Sequence, residues 1–171
     1  MKNYVCLAAV LLFSITTTFA QTKPTTDESG LQWYTNLQEA NKLSQASKKP
    51  IFAFFTGSDW CGWCKKLQRD VFAKPEFVAW AKKNVILLEL DYPRTKTLPP
   101  DLVQQNSSLQ QALAVSGYPT IWFIFATVDP ANGNINLSTL GSLGYPRDAV
   151  PGSEQVKFLD DANKILSLAK K

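Results

Sequence analysis

Short continuous apolar runs alternate along this chain with stretches in which apolar residues return every three or four positions. Leu37, Ala40, Leu43 and then Ala46 or Ser47 recur at helical spacing, and Lys48, Lys49 and Pro50 end that helix. Ile51 to Phe55 follows as a near-continuous apolar run between Pro50 and Gly57, the pattern of a strand buried on both faces. Helical spacing resumes through Leu67, Val71 and Phe72, and a second helical piece from Glu76 to Lys83 opens at Pro75. Val85 to Leu90 is another buried strand, so residues 51 to 90 form a strand-helix-strand unit, which implies parallel pairing. Tyr92 to Gln105 is polar, holds three prolines and reads as a loop. Asn106 to Val115 reads as a short helix with Leu109 and Leu113 on one face. Gly117-Tyr118-Pro119 then punctuates the chain before a strand from Thr120 to Ala126. Asn132-Gly133 is a hairpin signal that turns Ile135 to Leu140 back antiparallel. Ser153 is a good N-cap for a closing helix marked by Val156, Leu159, Ile165 and Leu168.

The first twenty residues follow a different rule. Lys2 precedes an apolar run from Tyr4 to Ile15, and hydroxylated and small residues follow up to Ala20. That is the layout of a secretory signal peptide cleaved before Gln21. The competing reading, an uncleaved anchor, needs roughly 18 or more apolar residues, and Thr16, Thr17 and Thr18 interrupt the run. Residues 1 to 20 are therefore expected to be a signal peptide and residues 21 to 30 a flexible lead-in. Residues 31 to 171 remain as one domain, exported to the periplasm or secreted. Cys6 would leave with the signal.

Composition narrows the chemistry. A chain of 171 residues, 45% hydrophobic, holds one ordinary core. Loss of Lys2 lowers the formal balance from +4 to +3, too mild to imply a nucleic-acid partner. No histidine is present, which excludes Ser-His and Cys-His dyads and leaves chemistry to cysteine or carboxylate. Two thiols without histidine would leave a tetrahedral metal ion half-coordinated, so neither a metal nor another cofactor is expected.

Cys61 and Cys64 are separated by two residues where the strand from Ile51 feeds a helix. At that spacing the two thiols can bridge without large backbone strain. The first of them stands at the helix N-terminus, where unpaired N–H groups favour a thiolate over a thiol. A thiolate attacks disulfides; the second thiol can then displace the mixed disulfide so formed. The same spacing also suits a purely structural disulfide, so the pair by itself leaves both readings open.

The order of elements and a later proline sharpen the choice. With Trp60-Cys61-Gly62-Trp63-Cys64-Lys65 and Gly117-Tyr118-Pro119-Thr120, the sequence from about Leu31 onward resembles the thioredoxin superfamily, in particular its bacterial periplasmic thioredoxin-like members. The resemblance implies an α/β thioredoxin-like fold, a central mixed β-sheet flanked by helices. It implies Cys61 and Cys64 as the catalytic redox pair of a protein-disulfide oxidoreductase, with a cis bond before Pro119. Trp60, Gly62, Trp63, Tyr118 and Pro119 would form the substrate-binding surface. Its partners would be proteins with disulfides or dithiols and a second redox protein that recycles the pair, and the chain is expected to act as a monomer.

Two departures from the family pattern stand out. Trp63 takes a position that is proline in the common reducing thioredoxins, which restores a backbone N–H near the thiolate and leaves the direction of catalysis open. The strand before the cysteines, Phe52-Ala53-Phe54-Phe55, lacks the buried aspartate that thioredoxins keep there. Glu89 could substitute as a proton acceptor for Cys64, although a solvated glutamate at a strand end is the plainer reading. The rival from another class is a thioredoxin-fold binding module in which the bridge only staples the helix start.

Overall fold

A computed structural model describes residues 24–128 and 134–168. Its sheet is built from six strands: β1 (Thr25–Thr26), β2 (Gln32–Tyr34), β3 (Ile51–Thr56), β4 (Ile86–Asp91), β5 (Thr120–Val128) and β6 (Ile135–Leu143). The helices are α1 (Leu37–Ser47), α2 (Gly62–Leu67), α3 (Pro75–Asn84), α4 (Pro100–Ala112) and α5 (Glu154–Leu168), with a π-helical turn at Gln68–Phe72. The strand order is β1-β2-β4-β3-β5-β6. β4 lies parallel to both β2 and β3, while β5 runs antiparallel to β3 and β6 antiparallel to β5. This is the mixed sheet, flanked by helices, that the resemblance implies.

β3 sits at the centre because every one of its residues can be buried. Phe52 and Phe54 face one side of the sheet and Ile51, Ala53 and Phe55 the other, all within 1% of full burial. On the first side Phe52 meets Trp33, Phe72, Phe77, Trp80, Phe123 and Phe158 at ring-centroid distances of 5.4 to 6.4 Å. Edge-to-face contacts of this kind add to the gain from area burial. Both cysteines belong to this aromatic cluster. The second side is mainly aliphatic, with Leu88 and Leu90 of the sheet in one cluster with Leu37 and Ala40 of α1 and Leu109 of α4.

Several boundaries differ from the sequence reading. Regular structure starts before Leu31: Thr25 and Thr26 pair with Trp33 and Gln32, and the Asp27 carboxylate accepts from the N–H groups of Ser29 and Leu31. A two-residue strand has no periodicity to read, which is why it was illegible. The loop expected over Tyr92 to Gln105 ends at Pro99, because α4 starts at Pro100 and uses that proline in its first turn, where a missing N–H costs nothing. The helix through Val71 and Phe72 widens into the π turn, with Ala73 N donating to Gln68 O at 2.8 Å. On α5 the buried residues are Phe158 and Ala162, whereas Val156 and Leu168 are exposed. The Asn132-Gly133 turn and the expected signal peptide lie outside the described residues; the antiparallel return of β6 is as expected.

Candidate active site

β3 ends at Thr56, and the chain needs only a tight turn to start α2. Trp60 N and Cys61 N both donate to Gly57 O, at 3.2 and 2.8 Å. Cys61 is the N-cap residue of α2, in extended conformation, and its Sγ accepts from Cys64 N at 3.1 Å. A sulfur held against a backbone N–H at a helix start is favoured as thiolate. Of the two N–H groups near it, the one that reaches Cys61 Sγ is that of Cys64, not the one restored by Trp63. Cys61 and Cys64 are joined in a disulfide with Cα atoms 5.3 Å apart. Cys61 retains 5% of its surface and Cys64 none, so Cys61 is the less enclosed member of a buried pair.

The peptide bond between Tyr118 and Pro119 is cis. Tyr118 packs against the cluster that contains both cysteines, which brings the start of β5 beside the start of α2. Its ring meets Trp60 edge-on at 5.7 Å and Tyr92 at 5.2 Å. Thr120 Oγ1 closes the turn on Gly117 O at 2.8 Å. Gly144, just past β6, borders the same place: a Cβ there would stand 3.5 Å from Pro119 O.

The two indoles are the largest exposed surfaces of the site, Trp60 at 36% and Trp63 at 48%. Trp60 lies flat over Gly57, where an added Cβ would fall 2.4 Å from the ring. Its Nε1 donates to Tyr92 O at 2.7 Å, and the Arg94 guanidinium sits over the ring at 4.0 Å. Trp63 rests on Tyr145 at 5.2 Å, with Arg147 over its ring at 5.3 Å. Tyr145 is itself fixed, donating to Asp70 at 2.8 Å and meeting Lys66. Gly62 lies between the indoles in sequence, and a Cβ on it would meet nothing within 4 Å. Trp60, Gly62 and Trp63 thus flank Cys61 along the turn, and the Tyr118-Pro119 loop is joined to that turn through the contact of Tyr118 with Trp60.

Asp59 plays a part that its sequence position alone did not reveal. Its carboxylate accepts from Thr95 Oγ1 at 2.6 Å, from Thr95 N at 2.7 Å and from Arg94 N at 3.0 Å, fastening the loop over residues 92–99 to the cysteine turn. Those bonds, led by the Thr95 hydroxyl, hold its carboxyl down to about 2. Ser58 makes a parallel attachment, donating from N and Oγ to Asp91. Tyr92, Arg94, Tyr145 and Arg147 are rim residues that sequence reasoning missed. No motif marks a surface arginine or tyrosine whose only distinction is the ring it packs on.

Glu89 is not the solvated strand-end residue expected. It is half-buried on β4 opposite Phe54, facing the aromatic side of the sheet, and lines a cavity of about 470 Å³ with Trp33, Gln68 and Phe72. Burial, and next the Asp91 charge, raise its carboxyl above the ordinary value. Among the described residues, no group of three or more cysteine, aspartate or glutamate side chains could hold a metal ion, and no helix is long and apolar enough to cross a membrane.

The model of a family described as thioredoxin-like matches residues 32–126, more than half of the chain. The chain is 38% identical over 106 residues to a protein of Chlamydia pneumoniae named disulfide bond reductase DsbH, covering 62% of this chain and 63% of that one. It is 27% identical over 111 residues to the thioredoxin-related protein DsbJ of the same organism, covering 65% of this chain and 32% of the relative. Both matches thus span less than two thirds of the curated relative. A solved structure titled DsbH oxidoreductase superposes with a TM-score of 0.65 at 31% identity, covering 88% of this chain and 94% of that one. A thioredoxin from Thermus thermophilus, 19% identical, superposes with a TM-score of 0.54 over 80% of this chain and 87% of its own, a likeness of fold. With the matched segment carrying both the cysteine turn and the cis-proline loop beside it, the chain belongs to the thioredoxin-like family.

Proposed function

We propose that this protein is an exported thiol-disulfide oxidoreductase that reduces disulfides in other proteins through Cys61 and Cys64. The observation that carries the reading is the asymmetry of the bridge: of the two cysteines only Cys61 keeps any exposed surface, and it caps a helix beside the Tyr118-Pro119 bond and two exposed indoles. Similarity to a relative named a disulfide bond reductase supports the reducing direction.

In the reduced protein the Cys61 thiolate attacks one sulfur of a substrate disulfide and the other sulfur leaves as a thiolate. Cys64, deprotonated, then attacks Cys61 Sγ of the mixed disulfide, expelling the second substrate sulfur. The substrate gains two electrons and two protons, and the protein is left with the Cys61–Cys64 bridge for a redox partner to reduce. An extended substrate segment would lie along the backbone beside Tyr118, with Trp60, Gly62 and Trp63 forming the surface around the attacking sulfur. Residues 1 to 20 act in this reading as a signal peptide that delivers the remainder to the periplasm or the medium.

The test is the reduction potential of the mature chain, measured by equilibration with dithiothreitol or glutathione buffers, together with trapping by Cys64→Ser. A potential near the roughly −270 mV of thioredoxin, with a protein mixed disulfide accumulating on Cys61 in the variant, is the expected result. A value near about −120 mV would make the pair an oxidant, and a bridge that resists reduction below about −300 mV would make it structural.

A further inference from the structure

The cations of this surface fall into two groups. Lys66 pairs with Asp70, Lys96 stands 3.9 Å from Asp91, and Lys157 pairs with Asp148 and Asp161. Arg94 and Arg147 differ: among the described residues neither guanidinium has a carboxylate partner, and each is laid over an exposed indole of the cysteine turn. Asp59 stays anionic beside Arg94, but it accepts from Arg94 N, Thr95 N and Thr95 Oγ1 and makes no ion pair with the guanidinium. Lys65 adds a third charge without a carboxylate, since its Nζ donates to the Asp59 carbonyl at 3.1 Å. The turn that carries Cys61 is therefore flanked by two guanidinium groups that no carboxylate pairs with among the described residues, in a chain whose overall balance is only +4.

A guanidinium seated over an indole loses part of the freedom that an exposed arginine normally keeps, while its N–H groups remain available to another acceptor. Those groups form a planar fork matched to a carboxylate. Arg94 is held by backbone as well, through its N–H to Asp59, and Arg147 N donates to Tyr145 O at 2.9 Å. Trp60 leans on Tyr118 and Trp63 on Tyr145, so the two forks rest on separate aromatic bases on either side of Cys61 in sequence.

We infer that Arg94 and Arg147 are a specificity clamp that selects disulfide substrates with acidic residues flanking the reacting cysteine. The inference rests on the oxidoreductase reading and adds the substrate's chemistry to it. Carboxylates near the disulfide would dock on the two forks while the intervening backbone crosses Cys61. Encounter would be steered by the same charges and weakened by salt.

The test uses the mature chain and two disulfide peptides of equal length, one with glutamate and one with lysine on each side of the cysteines. Hydroxyethyl disulfide serves as a small uncharged substrate. The expected kcat/KM ratio of acidic over basic peptide is about tenfold at low salt, as two exposed charge contacts of a few-fold each would give. It should fall toward one in 0.5 M salt and in Arg94→Gln/Arg147→Gln. Arg94→Lys/Arg147→Lys, which keeps the charge but loses the planar fork, should retain only part of the ratio. Because the readout is a ratio, a general loss of activity in a variant does not imitate the effect, and the salt response is read on the unaltered protein. Equal reduction of both peptides by a protein that reduces hydroxyethyl disulfide overturns the clamp alone. Failure to reduce any of the three overturns the oxidoreductase reading and the clamp with it.

Discussion

Gly57 shows how much of the candidate site depends on a side chain that is not there. Trp60 fills the space where a Cβ would be, and its indole is pinned there by Tyr92 O, Tyr118 and Arg94. Gly57→Ala should lift the ring out of this nest, since the alternative is to move the turn that carries Cys61. The expected result is a loss of about tenfold in kcat/KM on a protein disulfide, of the order that misplaced positioning groups cost, with a thermal midpoint close to that of the parent. A variant that keeps full activity would show that the position of Trp60 is immaterial. At this scale the sequence was most informative where chemistry is encoded in residue type. A cysteine pair and a Gly-Tyr-Pro are legible one by one, and both lie where expected. Arg94 and Tyr145 matter through the aromatic faces they meet across 34 and 82 residues of chain, a relation with no local signature.

Among the elements, the stretch after β4 departs most from expectation, and it does so for a readable reason. Its prolines suggested an extended loop, but Pro100 starts a helix whose inward residues, Leu102, Asn106 and Leu109, recur at helical spacing. That leaves residues 92–99 as the true loop, clasped by Asp59. The free carboxyl titrates near 3.8 and the folded one at about 2, so the clasp is complete above the higher value and is lost as pH falls through the lower. Trp60 fluorescence should accordingly change with a midpoint near pH 2 and be flat above pH 4. In Asp59→Asn the charge is already absent and that acid step should vanish; its persistence would assign the transition to another group. The long, strongly periodic elements α1, β3 and β4 were legible because burial dictates their pattern. β1 and β2, five residues together, were not, since their place is set by pairing with one another and with β4.

For the molecule as a whole, Glu89 is a cost carried inside the sheet. It has no hydrogen-bond or ion-pair partner among the described residues, and its raised carboxyl means that folding favours the protonated form. The sign follows: the penalty is absent below the ordinary value of 4.5 and grows as pH rises through it. Glu89→Gln should therefore melt above the parent at pH 7 and together with it at pH 4. A variant that melts lower at pH 7 would mean that the carboxylate makes a favourable interaction in the fold.

The sheet that supports all of this is closed unevenly. At one margin β1 contributes two residues and gives a neighbouring chain little to pair with. At the other, β6 offers nine residues, Ile135–Leu143, without a single charge. Only the break in register between Phe123 and Ile124 on β5 interrupts the regularity of that pair. Such margins are where separate copies of a protein template on one another, and natural sheets usually guard them with lysine or proline. Among the described residues β6 is thus the margin of the sheet most open to a second copy, and association there should rise with concentration.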